Sequence, residues 1–239
     1  MKNSILILLI ALGLTIGLMT LKKDFQDQVQ DNKQKAFADT TQLQTGDLLF
    51  QDLDCGPLCD AIEKVTTGVC GAKLSHVGLI ERAANGRVFL IEAYGPVART
   101  PIVTVLNRHI DRMGFPLVII GRLREKYDSL ISIAMQQATA LIGKPYDDAF
   151  ILNNDSYYCS ELVYESFKKA NADSSFFEVA PMTFKDPQTG LFLETWVNYY
   201  KALHQPIPEG EPGINPGLIS RSDKLHIVHL FGFKGNLPY

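Results

Sequence analysis

Two apolar runs on either side of a short turn most constrain the fold of this 239-residue chain. The runs span His76–Glu81 and Val88–Tyr94, and Ala84-Asn85-Gly86 lies between them. Apolar, β-branched runs that flank an Asn-Gly turn predict a β-hairpin, in which two neighbouring strands are antiparallel. The chain is therefore expected to contain an antiparallel sheet.

Helical patterns alternate with the strands. Pro57 suits the first position of one helix and Gly68 ends it. A second helix has a serine cap at Ser129 and stops at Gly143. The predicted helices span residues 57–67, 129–142, 159–170 and 191–203, and the predicted strands span 46–50, 76–81, 88–94, 117–123 and 225–231. Helices mixed with an antiparallel hairpin predict the α+β class.

The N-terminal 21 residues differ from the rest of the chain. An apolar run from Ile5 to Met19 follows Lys2, at the lower length limit for crossing a bilayer. Residues 1–21 are thus predicted to be a transmembrane anchor or a signal segment, and the uncleaved anchor is favoured. Residues 22–42 are polar and predict a tether, partly helical near the membrane. Residues 43–239 form the expected domain, outside the cytoplasm on an anchor, or secreted or periplasmic after cleavage.

Composition and charge exclude two classes of protein. Hydrophobic residues make up 46% and charged residues 21% of the chain, which is typical of a globular and not a disordered protein. The formal net charge is −3 and no basic stripe is present, so a nucleic-acid partner is not expected.

Three of the four cysteines, Cys55, Cys59 and Cys70, lie close together in the sequence. Two of them could form a disulfide in an oxidising compartment. The same cluster followed by His76 also has the spacing of a zinc ligand set. Buried or partly buried thiols are the third reading, and the one favoured from the sequence.

The fourth cysteine, Cys159, stands where a helix should begin. The first turn of a helix presents unpaired backbone N–H groups and the positive end of the helix dipole, and both favour a thiolate. The same N–H groups can stabilise an oxyanion during acyl transfer. Cys159 is therefore a candidate nucleophile, with a packed, inert thiol as the alternative.

A thiolate nucleophile needs a base, and His76 is the best placed of the five histidines. It opens an apolar strand, and Gly78 leaves room above it for a second element. The other four histidines lie on predicted surface turns, on helix ends or on a late strand: His109, His204, His226 and His229.

Glu92 is the candidate for the group that orients the base. A carboxylate inside an apolar strand is costly unless it has a partner. A two-residue turn would place Glu92 and His76 on opposite sheet faces. A three-residue loop with Gly86 left-handed pairs His76 with Tyr94, so that Glu92 and His76 share a face. We therefore predict the three-residue loop.

Five segments in this order resemble the YiiX-like permuted papain-like cysteine hydrolases, which are related to NlpC-type cell-wall enzymes: GDLLF, SHVGLI, FLIEAYGPV, IGKPYD and YYCSELV. The resemblance covers roughly residues 43–170. It implies a circularly permuted papain-like (NlpC-like) fold, in which the sheet with the histidine and the acid packs against the cysteine helix. It also implies that Cys159 is the nucleophile, His76 the base and Glu92 the third polar residue.

Tyr158 and Tyr146 are secondary candidates for binding substrate or the oxyanion, with aromatic packing as the alternative. We expect an amide substrate, namely a peptide, a cell-wall amide or a lipid-linked amide, and no metal or organic cofactor. Two other functions stay open. One is lipid acyl chemistry similar to that of lecithin retinol acyltransferase, and the other is a non-catalytic anchored binding module. A wide apolar groove beside Cys159 would favour the first of these.

Overall fold

The computed structural model of the protein describes residues 15, 17–32 and 39–231. Residues 17–32 form helix α1, so the tether predicted over 22–42 is helical as far as residue 32. The anchor or signal predicted over 1–21 lies largely outside the described residues. Within the described part of the chain, no helix combines the length and the apolar character needed to span a bilayer. The Asn32 side-chain amide donates to the Met113 carbonyl oxygen, 2.8 Å away.

The elements after α1 mix strands and helices, as the α+β prediction requires. In chain order they are β1 (Leu48–Gln51), α2 (Pro57–Val65), β2 (His76–Arg82), β3 (Val88–Ala93), β4 (Val97–Pro101), α3 (Ile102–Leu106), β5 (Val118–Leu123), α4 (Ile131–Ala140), α5 (Cys159–Ala170), β6 (Ala180–Pro181), α6 (Glu194–Ala202), β7 (Pro212–Gly213), α7 (Pro216–Ser220) and β8 (Leu225–Phe231).

Six of the strands form one antiparallel sheet, in the order β4-β3-β2-β1-β5-β8. In the central hairpin Leu79 pairs with Ile91. The Ala83 N–H donates to the Arg87 carbonyl, which leaves a loop of three residues, and Gly86 has a φ of 80°. The predicted three-residue loop and its register are confirmed.

Each face of the sheet is covered by different helices. Leu79 and Ile91 belong to the core cluster that packs under α4 and α5. Ile80 and Leu90 point to the opposite face and pack with the residues of α3. Since side chains alternate along a strand, His76 and Glu92 share the face of Ile80 and Leu90. The sheet thus carries the histidine and the acid, and the cysteine helix packs against β2, as the fold prediction states. His76 is the first residue of β2, and at this end of the strand it interacts with Cys159 at the start of α5 although the helix covers the other face.

Several local predictions are wrong. Ser129 does not cap a helix, because residues Glu125–Leu130 form a 3-10 helix and α4 begins only at Ile131, without a side-chain cap. The strand β4 and the helices α3 and α7 were not predicted, because these short segments carry no clear apolar period.

The favoured prediction, that Cys55, Cys59 and Cys70 are all buried or partly buried thiols, is also wrong. Cys55 and Cys59 form a disulfide across the start of α2, and Cys70 is a free, exposed thiol. The Cα atoms of Cys55 and Cys59 are 5.3 Å apart, a separation that a disulfide spans. Among the described residues, no group of three or more His, Cys, Asp or Glu is arranged to hold a metal ion, so the zinc reading has no support there.

Candidate active site

Cys159 is the first residue of α5, as predicted, because the chain turns from extended backbone into the helix at Tyr158. Its thiol is free and only 6% of the residue is exposed. The Tyr158 side chain does not cap the helix, so the first backbone N–H groups of α5 have no partner from it. Cys159 therefore lies where unpaired N–H groups meet the wall of a cleft.

His76 and Glu92 form a buried hydrogen-bonded pair. The His76 Nε2–H donates to Glu92 Oε2, 2.6 Å away, and the two residues are 2% and 1% exposed. The His76 ring also interacts with the Cys159 side chain, and this interaction raises the pKa of the imidazole. Because Nε2 of His76 is bonded to Glu92, Nδ1 is the ring nitrogen that can exchange a proton with the Cys159 sulfur. The structure therefore brings together all three residues predicted for the catalytic centre.

Arg108 is a fourth member of this cluster that the sequence did not identify. Its two terminal nitrogens donate to the two oxygens of Glu92 at 2.6 and 2.5 Å. A bidentate pair of this kind fixes the carboxylate in position as well as balancing its charge. The sequence did indicate that a cation was needed, because burying the Glu92 carboxylate is costly without one. Several basic residues could have met that need, because helix α3, which ends just before Arg108, was not predicted.

Tyr94 covers this cluster on the outside. The Arg108 guanidinium lies 4.2 Å from the centre of the Tyr94 ring, and the His76 ring meets Tyr94 edge to face at 5.6 Å. Tyr94 itself is 54% exposed. Its ring thus lies between solvent and the buried charges, and stacking on Arg108 adds a cation–π contact.

The electrostatics of the cluster favour charged forms of both His76 and Glu92. Burial alone would lower the pKa of His76, but its bonds to Cys159 and Glu92 raise it from 6.5 to about 9. Burial would raise the pKa of Glu92, yet the bonds from Arg108 and His76 lower it from 4.5 to about 2. At neutral pH the cluster is an imidazolium held by a carboxylate, and an imidazolium beside a cysteine favours the thiolate.

The cleft beside Cys159 has mainly apolar walls. Its lining includes side chains from α2, α6 and the loops between them: Ile62, Val65, Phe150, Met182, Phe184 and Trp196. Phe184 and Trp196 belong to a separate small core cluster with Ala61 of α2. The disulfide-bearing helix α2 thus forms one side of the cleft.

Tyr146 and Tyr158, the two tyrosines predicted to bind substrate or the oxyanion, both line this cleft. Burial, and next the charge on Cys159, raise the pKa of Tyr146 well above its ordinary value, so its hydroxyl keeps its proton. The Tyr158 hydroxyl instead accepts a hydrogen bond from the Ile214 N–H at 3.3 Å. Ser160 donates to the Ile214 carbonyl at 3.0 Å, so the two neighbours of Cys159 hold the same loop residue.

The remaining histidines have other surroundings. His109 Nδ1 lies 3.0 Å from the Asp52 carbonyl oxygen. His204 is exposed just after α6, and His226 lines a different cleft beside Asp47 and Arg122. His229 lies on β8, at the edge of the sheet, and pairs with Ile120.

A comparison with protein families gives this geometry a context. The model of a family described as "Permuted papain-like amidase enzyme, YaeF/YiiX, C92 family" matches residues 42–229. The chain belongs to this family. Membership confirms the predicted YiiX-like permuted papain-like fold, and the family's description names amidase chemistry.

Two similar proteins come from Escherichia coli. The "Uncharacterized protein YiiX" of strain K12 is 31% identical over 134 residues, which cover 54% of this chain and 59% of that protein. The chain therefore matches less than two thirds of the length of the K12 YiiX protein. A crystal structure of YiiX from strain O157:H7 has a TM-score of 0.65 and 26% identity, and the match covers 79% of this chain and 98% of that one.

The solved YiiX structure is described as a metalloprotein. Among the described residues of the present chain, no group of three or more His, Cys, Asp or Glu is arranged to hold a metal ion.

Proposed function

We propose that this protein is a cysteine amidase that cleaves an amide bond through Cys159, His76 and Glu92, with a thioester intermediate. The buried His76–Glu92 pair, which interacts with the free thiol of Cys159 at a helix start, carries this proposal. A nucleophile, a base and an orienting carboxylate in that order are the elements of a catalytic triad.

In the first step, the Cys159 thiolate attacks the amide carbonyl carbon and forms a C–S bond. The carbonyl π electrons move to oxygen, and the resulting oxyanion accepts hydrogen bonds from first-turn N–H groups of α5. The protonated Tyr146 hydroxyl is a second donor for this charge. When the oxyanion collapses, the C–N bond breaks and His76 transfers its Nδ1 proton to the leaving amine.

The second step returns the enzyme to its starting state. His76, now neutral, takes a proton from a water molecule as the water oxygen attacks the thioester carbonyl. The C–S bond breaks, and Cys159 leaves as a thiolate beside the imidazolium. Glu92 keeps the Nε2 proton in place throughout, so that Nδ1 is the nitrogen that exchanges protons.

We propose a peptide, a cell-wall amide or a lipid-linked amide as the substrate, reached outside the cytoplasm by a domain tethered through its N-terminal segment. The Cys55–Cys59 disulfide supports this location, because disulfides persist in oxidising compartments. The apolar cleft walls favour a substrate with an apolar group next to the scissile bond.

The first test is labelling of the purified protein with a thiol-directed electrophile, followed by mapping of the modified residue. Cys70 is free and exposed, so the experiment uses a Cys70→Ser background. We expect labelling at Cys159, its loss in Cys159→Ala, and a drop of at least roughly a hundredfold in rate in His76→Ala. A matched control, His109→Ala, should label like the parent.

Equal labelling of the parent and His76→Ala would show that the two side chains are not coupled, and would contradict the proposed mechanism. A Cys159 thiol that does not react at all would leave the non-catalytic binding module as the better reading.

The apolar cleft also favours a second candidate, acyl transfer from or to a lipid, similar to the chemistry of lecithin retinol acyltransferase. The observation behind it is the wall of Phe150, Met182 and Trp196 beside the sulfur. Parallel assays of an acyl ester and a peptide amide with the same apolar group separate the candidates. Turnover of the ester alone would favour lipid chemistry.

A further inference from the structure

Glu161 is a fully buried carboxyl in the same helical turn as the nucleophile, and the mechanism above does not use it. It is the third residue of α5 and has 0% exposure. Its Oε1 atom accepts a hydrogen bond from the Asn153 N–H at 3.3 Å. The side chain thus ties the first turn of α5 to the loop that precedes the helix.

The other oxygen of Glu161 is unusual. Within the described residues, Oε2 is buried and has no hydrogen-bond partner. The charged groups facing the carboxyl are Asp147, from the loop that follows Tyr146, and Glu165, one turn further along α5, and both are acidic. Asp147 already accepts from the Ala149 and Ile151 N–H groups at 2.9 and 2.7 Å.

A carboxyl in this environment holds a proton. Burial first, and then the charge of Asp147, raise the pKa of Glu161 to about 8. A proton on Oε2 removes the charge that would otherwise be buried without a cation.

We propose that Glu161 is a positioning residue that joins the start of α5 to the 147–153 loop as an uncharged carboxyl, so that no second negative charge enters the turn that holds the Cys159 thiolate. Ionised glutamate at the third helical position normally stabilises a helix through the dipole. Here the positive end of the helix dipole stabilises the thiolate, and the negative charge of an ionised Glu161 would weaken that stabilisation. A neutral carboxyl accepts the Asn153 hydrogen bond without that competition.

This inference rests on the proposed role of Cys159, and its test needs no knowledge of the substrate. The rate of Cys159 alkylation by iodoacetamide is measured against pH on the full chain in the Cys70→Ser background. Glu161→Gln keeps the acceptor oxygen and removes the titration. Asp173→Asn, just beyond the end of α5, removes an exposed carboxyl that pairs with Lys169, and is the matched control.

We expect Glu161→Gln to react at the parental rate below pH 7. Above pH 8 the variant should react at least about threefold faster than the parent, because only the parent gains a charge in the nucleophile's turn. The Asp173→Asn rate should follow the parent at every pH. A purely structural role would instead lower the melting temperature of Glu161→Gln and leave the ratio of rates independent of pH, which would overturn the inference.

A second measurement does not depend on the Glu161 variant folding. In a Glu63→Gln background, which removes another carboxyl whose pKa is raised, infrared titration should show a protonated carboxyl at pH 7 that is lost as the pH passes about 8. A carboxyl already ionised at pH 7 would contradict the inference. If Cys159 alkylation proves independent of His76, the proposed function fails; if it depends on His76 but not on Glu161, only this inference fails.

Discussion

The carboxylate of Glu92 accepts hydrogen bonds from His76 and from both terminal nitrogens of Arg108, at a position that is 1% exposed. Charges buried to this degree are stable only as a complete set, because removing one partner leaves the others uncompensated. Strand parity in the sequence was sufficient to place Glu92 beside His76. It was insufficient to identify Arg108, whose position depends on the path of the chain after β4.

Replacing Arg108 should therefore damage both stability and reactivity. In Arg108→Ala, Glu92 loses its bidentate partner, and we expect a loss of about 3 kcal/mol in the free energy of unfolding. The labelling rate of Cys159 should also fall, since His76 is then oriented by a carboxylate that is itself free to move. Denaturant titration measures the first effect. The control is Arg99→Ala, which breaks the more exposed pair with Glu81 and should cost less than about 1 kcal/mol.

The pH dependence of stability provides a second residue-level prediction. His76 titrates near 6.5 when unfolded and at about 9 when folded, so its contribution is complete below pH 6.5 and is lost as the pH rises through 9. Glu92 contributes above pH 4.5 and loses its contribution as the pH falls through about 2.

The stability difference between the parent and His76→Gln, measured by denaturant titration at each pH, should consequently be largest between pH 4.5 and 6.5 and shrink towards pH 9. The control is His204→Asn, a change at an exposed site after α6. A difference for His76→Gln that stays constant across the alkaline range would show that the histidine is not held in its charged form.

Among the elements, the start of α5 is the one on which the site depends. The sequence predicted its bounds correctly, because Val163 and Phe167 repeat at four-residue steps from Cys159 and bury one face of the helix. It could not predict what covers the helix start. That role falls to Ile214, in a Pro/Gly-rich segment with no periodic pattern, which bonds to both Tyr158 and Ser160.

Removing the Tyr158 hydroxyl tests this contact at the level of the element. In Tyr158→Phe the Ile214 N–H loses its acceptor inside the protein, so we expect a loss of roughly 1–2 kcal/mol in unfolding free energy. The aromatic ring remains, and the labelling rate should change by less than about tenfold. The matched control is Tyr199→Phe, whose hydroxyl bonds to the Asp148 carbonyl at an exposed site and should matter less. A much larger fall in labelling would instead assign Tyr158 to the oxyanion.

For the whole molecule, the sequence predicted the class, the hairpin and the order of histidine before cysteine, because each depends on local patterns or on a family resemblance. The strand order β4-β3-β2-β1-β5-β8 was not predictable in this way. Pairing of β1 with β5 joins segments about 70 residues apart, and no local pattern specifies such a contact. The Cys55–Cys59 disulfide was one of three open readings, because the spacing of cysteines alone does not tell whether they are oxidised, bound to a metal or free.

The N-terminal region provides a whole-molecule prediction. Helix α1 touches the rest of the chain at Met113 and Gly114: the Asn32 amide donates to the Met113 carbonyl, and the Val29 carbonyl lies against Gly114. A chain that begins at residue 39 should fold, because the family match begins at residue 42, and should label at Cys159 within about twofold of the full-length rate. Circular dichroism and labelling kinetics test this. Loss of labelling from a folded, shortened chain would assign α1 a part in the site.

The order of the strands also bears on how the protein is made. β1 lies in the interior of the sheet and is the first strand to leave the ribosome, so later strands are added on both of its sides. The imidazole and its carboxylate belong to the second and third strands, whereas the sulfur arrives some 70 residues later. A nascent or truncated chain that ends before α5 contains the proton-transfer half of the centre and lacks its nucleophile. Such a fragment should not cleave an amide, because Cys159, the proposed nucleophile, is made only with α5.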